Sequence, residues 1–363
     1  MSGTSLDGVD AVLADCAQTP PKSLAHAYRA FPEKLRDSLA SLCSAGPDEI
    51  ERGGIAARDL AHLYAAVVEE VLQRAGVTHT EVRAIGAHGQ TVRHRPQLGF
   101  SVQLNAPSLL AELSSIDVIA DFRSRDIAAG GHGAPLASLF HIAAFSGASP
   151  RAVVNVGGIS NLTGLPRRGD NSSVIGFDTG PGNLLLDHWA QKHFGLPFDH
   201  EGAIAASARV NQDLLNALLA EPFFTEPPPK SSGRELFSAV WLGQALQHRD
   251  LDPATVLCTL TRLSAVAIGR AINTWFPQAS DVVICGGGAR NATLLRMLEA
   301  ECKPRTVIAS STLGVEPDQV EALAFAWLAH AHVSGQAGNV PTVTGARGPR
   351  ILGALYPACA RRD

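Results

Sequence analysis

The chain has 363 residues, a length that favours about two domains. An apolar fraction of 45% with 18% charged residues suits a globular protein with a full core, and a net charge of −4 excludes bulk electrostatic binding to nucleic acid or an anionic membrane. Six cysteines without a C-x-x-C pair exclude a zinc framework or disulfide scaffold; with no apolar run of membrane-spanning length and no signal-peptide pattern, a reduced, cytoplasmic protein is expected.

Met1-Ser2-Gly3-Thr4-Ser5-Leu6-Asp7-Gly8-Val9-Asp10 opens the chain as a turn of glycine, hydroxyl and acidic residues. Glycine lets amide N–H groups approach an oxyanion closely, and Asp7 and Asp10 are hard carboxylates suited to Mg²⁺ or a basic partner. Residues 9–15 read as a strand leaving this loop. Residues 33–44 and 55–75 carry helical spacing, with Leu60, Leu63, Tyr64, Val67, Val68, Val71 and Leu72 on one face. A short buried strand at 82–86 ends at Ala87-His88-Gly89-Gln90-Thr91, and 101–104 and 118–121 are further strands. Thr91 and Asp126 could bind hydroxyls and Arg125 could fork onto a carboxylate; Arg123, Arg125 and Asp126 could equally form a local ion-pair network. Gly130-Gly131-His132-Gly133-Ala134-Pro135 breaks all periodicity and divides the chain into lobes at 1–130 and 131–363.

The second half restarts with a strand at 152–156, a loop at 157–161, a strand at 173–177 and a helix beginning near Asn183. Asn155-Val156-Gly157-Gly158-Ile159-Ser160-Asn161 repeats the chemistry of the opening loop, so a duplicated α/β unit clamping a phosphate chain is expected. Gly176-Phe177-Asp178-Thr179-Gly180-Pro181-Gly182-Asn183 is the strongest candidate for the chemical centre. There a strand ends at an acid, and Gly-Pro-Gly turns into a helix whose N-terminal amides suit an anion. The alternative is that Asp178 merely caps the helix. Pro227 to Arg234 form a rigid loop, and a strand at 282–285 delivers Gly286-Gly287-Gly288-Ala289-Arg290-Asn291. That run either approaches a flat ligand such as adenine or is a tight strand–helix turn. Neither G-x-x-x-x-G-K-[ST] nor G-x-G-x-x-G is present, so P-loop and Rossmann readings lose their support, and no H-E-x-x-H pattern points to a histidine-held metal. Glu321, on an apolar helix, is either a first-turn carboxylate favoured by the helix dipole or a buried acid facing a ligand cleft.

Taken together, Met1 to Gly8, His88 to Thr91, Asp126 to Gly131, Asn155 to Gly158, Phe177 to Asn183, Cys285 to Gly288, Thr344-Gly345-Ala346 and Leu352 to Pro357 resemble the 1,6-anhydro-N-acetylmuramic acid kinase family. This family belongs to the sugar-kinase/Hsp70/actin superfamily, and the resemblance spans essentially the whole chain. It implies a two-lobed actin-like ATPase fold of duplicated ribonuclease H-like domains with a cleft between lobes, the C-terminal segment packing back on the first. It further implies a cytoplasmic homodimer in peptidoglycan recycling that uses ATP and Mg²⁺. The reaction would convert 1,6-anhydro-N-acetylmuramate and water into N-acetylmuramate 6-phosphate and ADP.

By motif, the resemblance assigns Gly3, Thr4, Ser5, Leu6, Asp7, Gly8, Val9 and Asp10 to the first phosphate loop, with Asp7 toward Mg²⁺. Asn155, Gly157, Gly158, Asn161 and Gly180 fall to the second phosphate region, and Gly286, Gly287, Gly288 and Asn291 to the nucleoside. Asp178 would be the general base, with Thr91, Arg125, Asp126 and Glu321 on the sugar side. The family has a short strand before its first phosphate loop, whereas this sequence opens at the Met of that loop. The resemblance therefore implies a first lobe lacking the ladder hydrogen bonds of one inner strand.

A single carboxylate is enough for such a reaction. Glycoside hydrolysis ordinarily needs one carboxyl to activate water and another to protonate the leaving oxygen. In an anhydro sugar the leaving oxygen is O6 of the same molecule, and a phosphoryl group arriving there takes the place of the proton. Two alternatives stand beside this one. A conventional sugar kinase would use Asp178 to deprotonate a free hydroxyl; a sugar- or ATP-sensing regulator of the same fold would carry an added DNA-binding segment, which this sequence does not show.

Overall fold

The computed structural model describes residues 1–3, 6–18, 20–170, 172–233 and 236–358, in which strands and helices alternate as expected of an α/β chain. Two compact units are formed, Met1–Ala144 with Gln319–Asp363, and Phe145–Asp318. The division thus falls after Ala144 where 130/131 was expected, and the chain from Gln319 onward belongs to the first unit.

In the first unit, β1 (Gly8–Asp15) and β2 (Lys22–Ala30) form an antiparallel hairpin. Gly8 opens β1 because a Cβ there would lie 2.4 Å from the Arg29 carbonyl oxygen. The helix Glu49–Ala75 lays Leu60, Ala61, Tyr64, Val67 and Val71 onto the core built around this hairpin. It begins six residues before the expected start at 55, because Gly53 and Gly54 interrupt the apolar pattern without interrupting the backbone. Its end is a left-handed Gly76 at φ 68°, with Val77 N–H reaching back to the Leu72 carbonyl. Beyond it come β3 (Ile85–Gly86), the hairpin β4 (Gln90–Arg95)–β5 (Phe100–Leu104), and β6 (Val118–Ala120). β6 pairs in parallel with β3 and antiparallel with β12 (Ala354–Tyr356), the last strand of the chain.

Between the β1–β2 hairpin and the β3–β6–β12 sheet lies a cavity of about 490 Å³. Val12 and Ile85 line it from the strands, with Val68 and Val71 from one helix and Ala326 and Ala329 from another. Met1 already pairs with β1 there, its N-terminal ammonium donating to the Asp10 carbonyl at 2.7 Å and its carbonyl accepting from Asp10 N–H at 2.9 Å. Burial lowers the pKa of that ammonium to about 6, with Asp10 and Glu321 opposing the shift.

The second unit is one five-stranded sheet in the spatial order β11–β10–β7–β8–β9. Its strands are β7 (Arg151–Val156), β8 (Ile159–Leu165), β9 (Ile175–Pro181), β10 (Asp281–Cys285) and β11 (Thr306–Ala309). β7, β8 and β9 run antiparallel in succession, and β10 and β11 join in parallel beside β7. This is the order of a ribonuclease H-like half. Ala152, Val153, Val154 and Val156 are fully buried, as a strand covered on both faces requires. The helix Pro253–Trp275 covers one face with Ala265, Ile268 and Ile272, and its start is set by Asp252, whose side chain accepts from Ala254 and Thr255 N–H, and by Pro253. Among the described residues this helix alone is long and apolar enough to cross a membrane, contrary to the sequence reading, and 83% of its apolar window is buried inside the unit. Its apolarity is that of a core helix wrapped on all sides.

Candidate active site

The second unit gathers three glycine turns around the end of β7. The β7–β8 hairpin turns at Gly157-Gly158, so the expected loop at 157–161 is shorter and Asn161 lies on β8. Its tip is held against the helix Leu184–Phe194: Asn183 N–H donates to the Gly157 carbonyl at 2.8 Å, and Gly182 and Leu184 N–H to that of Gly158 at 2.9 and 3.0 Å. Gly182 is required here, since a Cβ would lie 2.3 Å from the Gly157 oxygen. From the other side, Gly286 at φ 76° and Gly288 bring the turn after β10 onto the same strand end. A Cβ on Gly286 would lie 2.3 Å from Asn155 Oδ1, and one on Gly288 would lie 2.3 Å from Val156 Cγ1. Gly287, between them, is exposed. Asn155, Gly157, Gly158, Gly286, Gly287 and Gly288 are thus brought together, with exposed backbone at Gly287 where a phosphate or a flat ring could approach.

Two expected members of this group are engaged elsewhere. Asn291 caps the helix Ala292–Cys302, its Oδ1 accepting from Leu294 N–H at 2.9 Å. Gly180 is buried, and the Phe224 ring fills the space a Cβ would take, 2.7 Å away. Asn291 thus caps a helix, and Gly180 packs against an aromatic ring.

Asp178 lies within β9, not beyond it, and the helix that follows is capped at Asn183. Helix capping by Asp178 is thereby excluded. β9 bulges at Thr179, because Ser160 pairs with Gly180 while Asn161 pairs with Asp178. Such a bulge re-aims the neighbouring side chain. The half-buried Asp178 accepts at Oδ2 from Ser232 N–H at 2.9 Å, and its own N–H donates to the Lys230 carbonyl at 3.1 Å. Close by on the same register, Asn161 Oδ1 is buried without a hydrogen-bond partner among the described residues, as is Ser232 Oγ. Sequence reasoning marked 227–234 only as a rigid loop; the Lys-Ser-Ser run after three prolines was the available signal.

In the first unit, the opening loop is tied down from behind. Ser2 is buried, its Oγ hydrogen-bonded with Tyr64 OH at 2.9 Å and donating to the Gly89 carbonyl at 3.2 Å, and Gln90 Nε2 donates to the Gly3 carbonyl at 3.0 Å. His88 Nδ1 faces the Ser2 carbonyl at 3.3 Å, while its Nε2 accepts from Arg123 at 2.9 Å. Burial and the Arg123 charge hold the His88 pKa well below its ordinary value, so the ring is neutral with its proton on Nδ1. Burial also lowers Arg123 to about 10, which leaves it charged at neutral pH. Neither residue was expected at the site, although both stand inside motifs the sequence offered.

Of the opening-loop residues, Thr4 and Ser5 lie outside the described residues. Leu6 turns at φ 60°, and Asp7 is exposed, with Oδ1 accepting from Gly8 N–H at 2.9 Å. Val9 points its side chain into the core at 2% exposure, and Asp10 Oδ1 pairs with His26 Nε2 at 3.0 Å. Thr91 accepts from Gln103 Nε2 at 3.1 Å, and Arg125 is exposed. Asp126, expected at sugar hydroxyls, is fully buried; it accepts from Gly133 N–H at 2.8 Å, Asn339 Nδ2 at 2.7 Å and Thr344 Oγ1 at 2.8 Å. Three donors on one carboxylate tie the returning C-terminal segment to the 131–133 loop. Glu321 stands in the first turn of the helix Val320–Val333 as an exposed acid, not a buried one.

Residues 1–358 match the family model described as anhydro-N-acetylmuramic acid kinase. The chain belongs to the anhydro-N-acetylmuramic acid kinase family. A curated member from Burkholderia lata is 52% identical over 364 residues, covering 98% of this chain and 95% of the relative. One from Bordetella pertussis is 52% identical with 99% and 95% coverage, and one from Cupriavidus pinatubonensis 50% identical with 98% and 97%. Membership makes the chain an enzyme, a sugar kinase, and agrees with the α/β architecture of both units.

Proposed function

We propose that this chain, an ATP-dependent kinase by family, opens the 1,6-anhydro ring of 1,6-anhydro-N-acetylmuramic acid with water at C1 while O6 takes a phosphoryl group. The products are N-acetylmuramic acid 6-phosphate and ADP. The observation that carries this reading is the setting of Asp178, a half-buried carboxylate on a bulged strand, bracketed by the Lys230 carbonyl and Ser232 N–H. Backbone groups aim it, as a general base requires.

Asp178 takes the proton from the attacking water. The bridge oxygen departs from the β face, so water approaches from the opposite face and the first product is the α-anomer. O6 stays on C6, and its new bond to phosphorus replaces the protonation that a second carboxyl would otherwise provide. Gly286, Gly287 and Gly288 hold the nucleoside, and Asn155, Gly157 and Gly158 hold phosphate; the resemblance makes the opening loop the first phosphate loop. The exposed backbone of Gly287 supports this assignment. ATP supplies the phosphoryl group, and Mg²⁺ neutralises the phosphate charge when bound. Asp7, exposed on the opening loop, would be the protein carboxylate for that ion. Its hard carboxylate oxygens fit such an ion. Arg125 reads the lactyl carboxylate, with Thr91 and Glu321 beside the sugar. The resemblance supports a cytoplasmic homodimer acting on a small sugar, and a net charge of −4 disfavours nucleic acid or membrane as partner.

The test is the reaction in ¹⁸O-water, with product read before mutarotation. Label at C1 of an initial α-anomer is expected. Label in the phosphate, or an initial β-anomer, would overturn the coupled mechanism.

A further inference from the structure

In the second unit Lys230 is buried at 9% exposure, an uncommon place for an ammonium group. Its Nζ donates to the Phe223 carbonyl at 2.6 Å and lies 4.5 Å from the centroid of the Phe223 ring. The Phe177 ring, one residue before Asp178, is 5.9 Å away. Phe223 is itself buried at 4% and meets Phe237 edge-on, so the ammonium is anchored to a rigid aromatic cluster. Burial lowers its pKa, while Glu226 and Asp178 oppose that shift.

The main chain of the same segment reaches Asp178 at two points. The Lys230 carbonyl accepts from Asp178 N–H, and Ser232 N–H donates to Asp178 Oδ2. β9 is the edge strand of its sheet, so nothing in the ladder itself fixes this side of the strand. A loop rich in proline and serine would not hold such a register by its own propensity. The desolvation of a buried ammonium is costly, and here it is offset by a charge-assisted hydrogen bond and an aromatic face.

We propose that Lys230 is a positioning residue for the base: its buried ammonium pins the 227–233 loop so that the Ser232 amide orients the Asp178 carboxylate. This rests on the assignment of Asp178 as base. Lys230 acts through Asp178 and touches no reacting atom.

The experiment is a double-mutant cycle on the full chain with Lys230→Met, Asp178→Asn and their combination, each checked by its melting curve. Methionine keeps the length and apolar contact of the stem and removes the donor. Lys230→Met alone is expected to lower kcat by about 10- to 100-fold, leave KM for ATP within about twofold, and cause no further loss in the Asp178→Asn background. An unchanged kcat in folded Lys230→Met, or a loss that adds in full to that of Asp178→Asn, would overturn the proposal. If Lys230→Met does not fold, Lys230→Leu, which likewise removes the donor to Phe223, is read through the same cycle under the same criteria. Near-normal turnover of Asp178→Asn would instead refute the base assignment. A large loss there with none at Lys230 would refute only the positioning role.

Discussion

Replacing Asp126 by Asn changes one atom of the carboxylate and tests whether that residue holds the first unit together. The native group is fully buried, and its two oxygens accept from Gly133 N–H, Asn339 Nδ2 and Thr344 Oγ1, all within 2.8 Å. An amide oxygen can serve either Gly133 or the Asn339–Thr344 pair, and the amide nitrogen then meets a donor on the other side. One buried donor without an acceptor costs about 1–3 kcal/mol. The bonds that remain fall from charge-assisted to neutral strength, a loss of about 1 kcal/mol more. The expected destabilisation is about 3 kcal/mol, a fall in Tm of about 6–12 °C for a unit of this size. Differential scanning calorimetry and urea unfolding would measure it, with Asp126→Ala, which strands all three donors, expected to be worse. An Asn variant within about 1 kcal/mol of the parent, or an Ala variant no worse than Asn, would refute the reasoning and return Asp126 to the list of sugar contacts.

Asp178→Asn should lower turnover by about 10²–10⁴ while leaving ATP binding, followed by calorimetric titration, nearly unchanged. Arg125→Lys keeps the charge but loses the fork, so kcat/KM should fall about 10- to 100-fold for the anhydromuramic sugar and less for an anhydro sugar lacking the lactyl group; equal losses would exclude carboxylate recognition. Gly286→Ala forces a side chain into φ 76°, ψ 178°, a glycine region, with Asn155 Oδ1 2.3 Å away; about 2–4 kcal/mol of stability should be lost and KM for ATP should rise. His94 is held at about 4, below its usual 6.5, by burial and by the nearby Arg123, His132 and Arg95 charges. The unfolded chain therefore takes the proton first as pH falls, so stability should decline from pH 6.5 toward 4 and recover as pH rises. Urea unfolding across that range should show a shallower slope in His94→Gln, and an unaltered slope would mean another group is responsible.

The sequence by itself determined whatever short-range chemistry governs. Glycine strings marked the turns because only glycine tolerates the contacts found at Gly182 and Gly286. The apolar stripe from Leu60 to Leu72 marked a helix face because period 3.6 survives in a single chain. β2 was missed, since Lys22–Ala30 lies at the edge of its hairpin and lacks a clean alternation of buried residues. The helix Pro253–Trp275 was invisible as an element for the opposite reason, being apolar on nearly every face. Only the tertiary structure decided which polar residues are spent on the fold. Asp126 and Arg125 are neighbours in one motif, yet the first is saturated by donors from residues 133, 339 and 344 while the second is exposed. Asp178 and Lys230 are far apart in the chain and meet because β9 is an edge strand with backbone groups left to pair. Local pattern names the residue types a site can use; the partners that occupy or orient them come from distant segments, and that pairing is not encoded in any window of sequence.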